Sequence, residues 1–390
     1  MLFPHPDTVE PMLRFFQTGD WHLGQPYRQF DADRANALRA ARLDAVGRVL
    51  AEAEAAGVAF VAVTGDQFDG PHPDPDLVRE LLDRVGSCRL PVHMIPGNHD
   101  PGEPGSVYDR EGFRNGPANL HFHDKAGPVP LPDLGATLFP CPCLARFGDD
   151  PMAWIPPRGA GEGLRIALAH GSLPGFADPG GRNYAIAADA PGRLGLDYVA
   201  LGDWHTPTPD PSARPGERMY YAGAPEVGGW DETGAGFALE VGLEAGAAPV
   251  VARRRVGRHE WSERAPQLYS PEDVARFLGE LDELDPRDRI VRVVPTGALP
   301  VASRVALAEA IEGRAPRFAD LALDLAGLRL VADSDAAWPA DPILREVARR
   351  LGELAADPTG KLPAAFPDTV PAPDAEAIVQ ALRRFRGLLH

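Results

Sequence analysis

Cysteine is scarce in this chain: 390 residues hold only Cys88, Cys141 and Cys143. Three thiols cannot build a disulfide framework, so the composition points to a reducing, cytoplasmic setting. Long apolar runs are also missing. No stretch approaches the roughly 18 apolar residues of a membrane-spanning helix, so no membrane partner is expected. Residues 1–10 carry neither a basic start nor an apolar core, and no secretory signal is expected there. Positive charge is the third shortage: 39 Lys and Arg face 56 Asp and Glu, a formal net charge of -17. A protein that held nucleic acid by charge alone would be basic. If DNA is the substrate, a local basic patch or a partner must supply the attraction. Cations bound at a carboxylate-rich site would offset part of the excess.

What the chain does have is turn-forming residues, 41 Gly and 42 Pro, set between short apolar runs. The runs at 13–17, 58–63 and 92–95 read as buried strands. Between them, 32–56 and 75–85 carry apolar residues at helical spacing, such as Leu38, Leu43, Val46 and Leu50. This alternation predicts a parallel sheet. Further strands are expected at 120–123, 137–139, 166–169, 198–201, 219–221 and 237–241, with few helices between, which predicts a second sheet packed on the first. The proline-rich stretch 206–217 reads as a loop. Near residue 260 the texture changes. A strand at 288–293, a helix at 302–311, strands within 321–331 and helices at 342–354 and 375–388 predict a small α+β domain. The proline-rich 358–374 joins those last two helices. The expected division is therefore a catalytic domain over 12–250 and a capping or partner-binding domain over 260–390.

Five loops follow apolar strands and carry the same kind of residue. They are Asp20-Trp21-His22, Gly65-Asp66, Gly97-Asn98-His99-Asp100, His170-Gly171 and Gly202-Asp203-Trp204-His205. Functional groups gather at the carboxyl ends of strands in open α/β sheets. Here those ends deliver carboxylates, imidazoles and an amide oxygen, a donor set that suits Mn²⁺, Fe²⁺ or Zn²⁺. Residues i and i+2 of an extended segment point to one side, so Asp20 with His22, and Asp203 with His205, can each grip one ion. Asp66 is placed to bridge two ions, and Asn98 offers its side-chain oxygen. Two divalent ions roughly 3.5–4 Å apart clamp a phosphate and activate water for in-line attack. His99 follows Asn98 and could donate a proton to the leaving oxygen, with Asp100 orienting its imidazole.

In this order the motifs over residues 13–206 resemble the calcineurin-like metallophosphoesterase superfamily. The resemblance implies an α/β fold, a four-layer αββα sandwich with two metals between the sheet ends. By motif position, one metal takes Asp20, His22, Asp66 and His205, and the other takes Asp66, Asn98 and His170 with the residue at 203. Residues 96–101 (Pro-Gly-Asn-His-Asp-Pro), Ser106-Val107-Tyr108, residues 221–226 (Tyr-Ala-Gly-Ala-Pro-Glu) and residues 236–239 look like the SbcD-like DNA repair exonuclease branch. That likeness implies Mn²⁺-dependent cleavage of DNA, an SbcC-like coiled-coil ATPase partner and a homodimer. Three positions depart from the pattern, one of them Ala224, where the likeness has a small hydroxylic residue before Pro225. Asp203 stands where the superfamily has histidine, and Asp69 stands where the nuclease branch commonly has histidine.

Other residues carry blander readings. His121 and His123 read as surface strand positions, His72 and His93 as loop and strand residues. Cys141 and Cys143 read as small buried hydrophobes. Arg253, Arg254, Arg255 and Arg258 read as a solvated strand edge, and Arg383, Arg384 and Arg386 as a dipole-complementing helix end. Three functions compete: a DNA nuclease, a phosphodiesterase or phosphatase on a small-molecule or nucleotide substrate, and a non-catalytic scaffold for an ATPase.

Overall fold

Residues 12–175, 183–232 and 234–331, with positions 346 and 350, are described in a computed structural model. The described residues open with β1 (Leu13–Thr18), α1 (Ala32–Ala56), β2 (Val61–Val63), α2 (Pro75–Ser87) and β3 (Val92–Met94). Local chemistry delimits both helices. The Asp31 carboxylate accepts from the Arg34 amide at the start of α1, and Gly57 ends it in the left-handed region at φ 63°. Pro75 opens α2 behind the Asp74 cap. Then come α3 (Glu111–Arg114), β4 (Leu120–Phe122), β5 (Val129–Leu131), β6 (Ala136–Cys141), β7 (Leu164–His170), α4 (Ala190–Leu194), β8 (Tyr198–Gly202), β9 (Met219–Tyr221), β10 (Phe237–Leu243) and β11 (Val250–Arg255).

Two sheets result. The six-stranded sheet runs β11-β10-β1-β2-β3-β4, and the five-stranded sheet runs β5-β6-β7-β8-β9. β1 to β4 pair in parallel, as the helical crossovers between β1, β2 and β3 require. β6 to β9 are parallel too. Phe15, Phe60, Ala62 and Ile95 of the first sheet pack on Leu138, Ile166, Leu168 and Tyr198 of the second. The other face of the first sheet, with Phe16, Val63 and Met94, is covered by Leu43, Val46 and Leu50 of α1 and by Leu81 and Val85 of α2. The outer face of the second sheet is covered by short α4 and by loop residues such as Met152, Ile155 and Ile186. The layers follow the order α, β, β, α, the fourth being mostly loop.

The chain divides between Arg258 and His259. β11 therefore lies in the first unit, beyond the end expected at 250, because it pairs with β10 along its whole length. Its arginines sit on a sheet edge: Arg254 pairs with Glu240, while Arg253 and Arg255 lie 5.1 Å and 5.4 Å from the Phe237 ring centre.

The second unit contains β12 (Glu260–Arg264), β13 (Gln267–Leu268), α5 (Pro271–Asp282), β14 (Arg289–Val293), β15 (Thr296–Pro300), α6 (Val301–Arg314), β16 (Asp320–Leu323) and β17 (Leu328–Val331). The α+β expectation placed only part of this. β12, β13, α5 and β15 were not anticipated, although Ser270-Pro271-Glu272-Asp273 forms a full capping box at the start of α5. All described strand pairs of this unit are parallel, in two three-stranded sheets, as alternating helices dictate. The helices expected at 342–354 and 375–388, the 358–374 stretch and the Arg383, Arg384 and Arg386 cluster lie outside the described residues, Glu346 and Arg350 excepted. No helix among the described residues is long and apolar enough to cross a membrane.

Candidate metal centre

The five motif loops leave the carboxyl ends of β1, β2, β3, β7 and β8. Past the end of β1, pairing to the β2 side continues through loop backbone: the Asp20 amide donates to Gly65 O, and the His22 amide to Asp66 O, both at 3.0 Å. That continuation puts the first two motifs side by side. It forces Asp20, His22 and Asp66 into the left-handed region, at φ 51°, 41° and 54°, and Asp203 sits at 105°. Non-glycine residues avoid that region, and strain of this kind concentrates at functional sites. Gly97 is required for a different reason. A Cβ there would lie 2.0 Å from Asp66 Oδ1, so any side chain would displace that carboxylate.

Two clusters of donor atoms form. Asp20, His22 and His205 make one, and Asp20, Asp66 and His170 the other, each with its ligand atoms within 4.8 Å of one another. Asp66 Oδ2 stands between them, 3.5 Å from both His22 Nε2 and His170 Nε2. His22 Nε2 lies 3.0 Å from His205 Nε2. Asn98 Oδ1 faces His170 Nε2 at 3.3 Å. Its amide end is held by Asn183 Oδ1 at 2.7 Å, which leaves the oxygen turned toward the cluster. Asp203 Oδ1 is 3.9 Å from His170 Nε2. Its two oxygens accept from Asn183 Nδ2 at 2.7 Å and Ser172 Oγ at 2.6 Å, and its amide donates to Asp20 Oδ1.

The residues fit divalent ions. Asp20 Oδ2 is buried and has no hydrogen-bond partner, a position that favours a cation. Burial pushes the Asp20 carboxyl up to about 6, against the pull of His205 and His170. Burial alone would lower His170, but Asp66, Asp20 and Asp203 lift it to about 9. Burial likewise opposes the rise of His205 to about 9, which the Glu232 hydrogen bond and Asp20 produce. Burial and the neighbouring His205 hold His22 well below its usual value. The carboxylates thus draw positive charge into the centre, and bound cations would answer the same demand.

His99 is half-buried. Its amide donates to Asp66 Oδ1 at 2.9 Å, its Nδ1 lies 3.3 Å from Asp69 O, and its ring meets His22 edge-on at 4.8 Å. Asp100 does not orient that imidazole as expected. Its carboxylate accepts from the Gly97 amide at 2.8 Å, the Phe68 amide at 2.9 Å and the Tyr108 hydroxyl at 2.6 Å. Three donors aimed at one fully buried carboxylate make it a clasp for the loop instead. Asp69 joins His22 and His99 in a further cluster of possible ligands.

Sequence reasoning missed Glu232, whose Oε1 lies 2.7 Å from His205 Nδ1 and leaves Nε2 facing His22. It also missed Asn183, Ser172 and Arg42, the last of which donates to Trp21 O and Tyr27 Oη behind the first motif. These residues lie on loops or on the hidden face of α1, with no periodic signal. The twin tetrapeptides diverge as well. Trp21 is buried and donates to Thr18 Oγ1, whereas Trp204 is 38% exposed.

Comparison with curated proteins found no match. Among solved structures, the crystal structure of TT1561 of Thermus thermophilus aligns at 11% identity and a TM-score of 0.38, over 63% of this chain and 100% of that chain. A second aligns at 8% identity and a TM-score of 0.35, over 62% of this chain and 99% of that chain. The description calcineurin-like phosphoesterase matches residues 13–207, which run from the first strand to just past His205 and so take in every strand-end motif of the centre. On that match the chain belongs to the calcineurin-like phosphoesterase family.

Proposed function

We propose that this chain is a two-metal-ion phosphodiesterase that cleaves DNA with Mn²⁺. Its family hydrolyses phosphoesters with divalent metals. The observation that carries a two-ion reading is Asp66, whose Oδ2 is equidistant, at 3.5 Å, from an imidazole of each donor cluster. Asp20, His22 and His205 would hold one ion and Asn98, His170 and Asp203 the other, with Asp66 between. Bound there, the pair would supply charge for the phosphate and activate water. His99, half-buried at the rim and anchored through its backbone, is the group placed to protonate the leaving oxygen.

The choice of DNA rests on the likeness of residues 96–101, 106–108, 221–226 and 236–239 to the SbcD-like branch. An SbcC-like ATPase partner and a homodimer follow from the same likeness. A second reading, a small phosphodiester as substrate, is favoured by Asp69. Its carboxylate lies 3.5 Å from His22 Nδ1 and adds negative charge beside His99, which disfavours a polyanion there. Purified protein with Mn²⁺ should cleave labelled single- or double-stranded DNA. Hydrolysis of bis-p-nitrophenyl phosphate without any DNA cleavage would replace the first reading with the second.

A further inference from the structure

Arg42 stands where a charged side chain is least expected. It lies on the core-facing side of α1, one turn from Leu38 and one from Val46, and all three are buried. Taking a guanidinium out of water is costly unless charge and hydrogen bonds offset the loss. Its Nε donates to Tyr27 Oη at 2.7 Å and its Nη1 to Trp21 O at 2.8 Å. Nη2 is buried without a hydrogen-bond partner and faces Glu232 Oε2 at 3.7 Å. Gly228 makes the room, since a Cβ there would stand 1.8 Å from Nη2. The Gly228 amide donates to the same Glu232 oxygen at 2.5 Å.

Two of these contacts lead to the metal centre. Trp21 O belongs to the peptide that enters His22, and Trp21 lies between two residues held at φ 51° and 41°, Asp20 and His22. A donor on that carbonyl holds the strained turn in place. On the other side, Glu232 Oε1 lies 2.7 Å from His205 Nδ1. One buried cation therefore reaches the supports of Asp20, His22 and His205, the three donors of the first cluster. The second set is held by other groups. Asn183 bonds both Asn98 and Asp203, and Thr64 O lies 2.8 Å from His170 Nδ1.

We propose that Arg42 is a positioning residue for one of the two ions. It sets the backbone of the first motif and the orientation of Glu232, and so fixes Asp20, His22 and His205 as a ligand set before an ion arrives. The proposal rests on the two-ion reading of the centre. A planar guanidinium suits the task because it meets Tyr27, Trp21 and Glu232 in three fixed directions, which an ammonium cannot do. Toward Glu232 the link is charge attraction, which burial strengthens.

The test is Mn²⁺ binding, with the free ion counted by electron paramagnetic resonance. Wild type should take two equivalents. Arg42→Met should weaken one by about 10–100-fold, as for a lost group behind a ligand, and leave the other unchanged. Gly228→Ala keeps Arg42 but displaces its guanidinium, so it should give the same one-ion loss; it also serves if Arg42→Met does not fold. Tyr27→Phe removes the contact that leads to no ligand, and should lower the melting temperature with both affinities kept. A second readout needs no metal. In the apoprotein, nuclear magnetic resonance should show the proton between His205 Nδ1 and Glu232 in wild type, and its loss to rapid exchange in Arg42→Met. Equal weakening of both ions, unchanged affinity for both, or a retained proton signal would each overturn the role of Arg42. Fewer than two equivalents in wild type would overturn the two-ion reading, and the proton signal would still decide on Arg42.

Discussion

Replacing Asp100 separates two accounts of the Gly97-Asn98-His99-Asp100 loop. If the carboxylate clasps the loop, Asp100→Ala strands the Gly97 and Phe68 amides in a fully buried setting. Tyr108 keeps a second partner, Gln67 Oε1, so its hydroxyl is not orphaned. Each stranded buried amide costs about 1–3 kcal/mol, which puts the loss near 2–6 kcal/mol. Domain stabilities run about 5–15 kcal/mol, so this is a large fraction. At about 2–4 °C per kcal/mol for a domain approaching this size, the melting temperature should fall by roughly 5–20 °C. Asp100→Asn keeps one acceptor oxygen but aims an NH₂ at a donor, and should lose about half as much. Thermal unfolding followed by circular dichroism measures the drop, and turnover of bis-p-nitrophenyl phosphate measures the accompanying displacement of Asn98 and His99. An Asp100→Ala protein with wild-type melting and a defect confined to kcat would refute the clasp and restore the expected role of orienting His99.

Four further outcomes follow, three from the metal centre and one from His93 on β3. His99→Ala should retain its metals by elemental analysis yet lose about 10²–10⁴-fold in turnover, as for a removed general acid. Asp66→Ala should lose at least one equivalent of metal, since its Oδ2 adjoins both clusters; unchanged metal content would show that it bridges nothing. Glu232→Gln should weaken metal affinity by about 10–100-fold in equilibrium dialysis, because it holds the outer nitrogen of His205. His93 gives a pH dependence. Its folded pKa, about 3, is below the unfolded value, so its contribution is intact above pH 6.5 and lost as pH falls toward 3. At pH 4.5 that linkage amounts to about 2–3 kcal/mol. The melting temperature in chelator should fall less steeply with acid for His93→Gln than for wild type, and parallel curves would count against it.

The parallel core of the first unit was legible because its strands are short apolar runs with capped amphipathic helices between β1, β2 and β3. The second unit was harder. β12 (Glu260–Arg264) is largely polar and β13 (Gln267–Leu268) is two residues long, so neither produces a hydrophobic pattern. The ligand candidates Asp20, His22, Asp66, Asn98, His170, Asp203 and His205 were legible because each sits at a strand end with glycine beside it or nearby. The contacts of Asp100 with the Gly97 and Phe68 amides were not legible, because adjacency in sequence to His99 says nothing about where its carboxylate points.

By itself the sequence determined which residues stand at the ends of β1, β2, β3, β7 and β8, since strand length and turn chemistry are local properties. It also determined that those residues are oxygen and nitrogen donors. Which donors share a cluster was decided only by the tertiary structure. Asp20 meets His205 from the far end of the first unit's chain, and Glu232 reaches His205 from a loop that follows no strand pattern. Those meetings depend on how two sheets pack face to face, and no spacing along one chain encodes that.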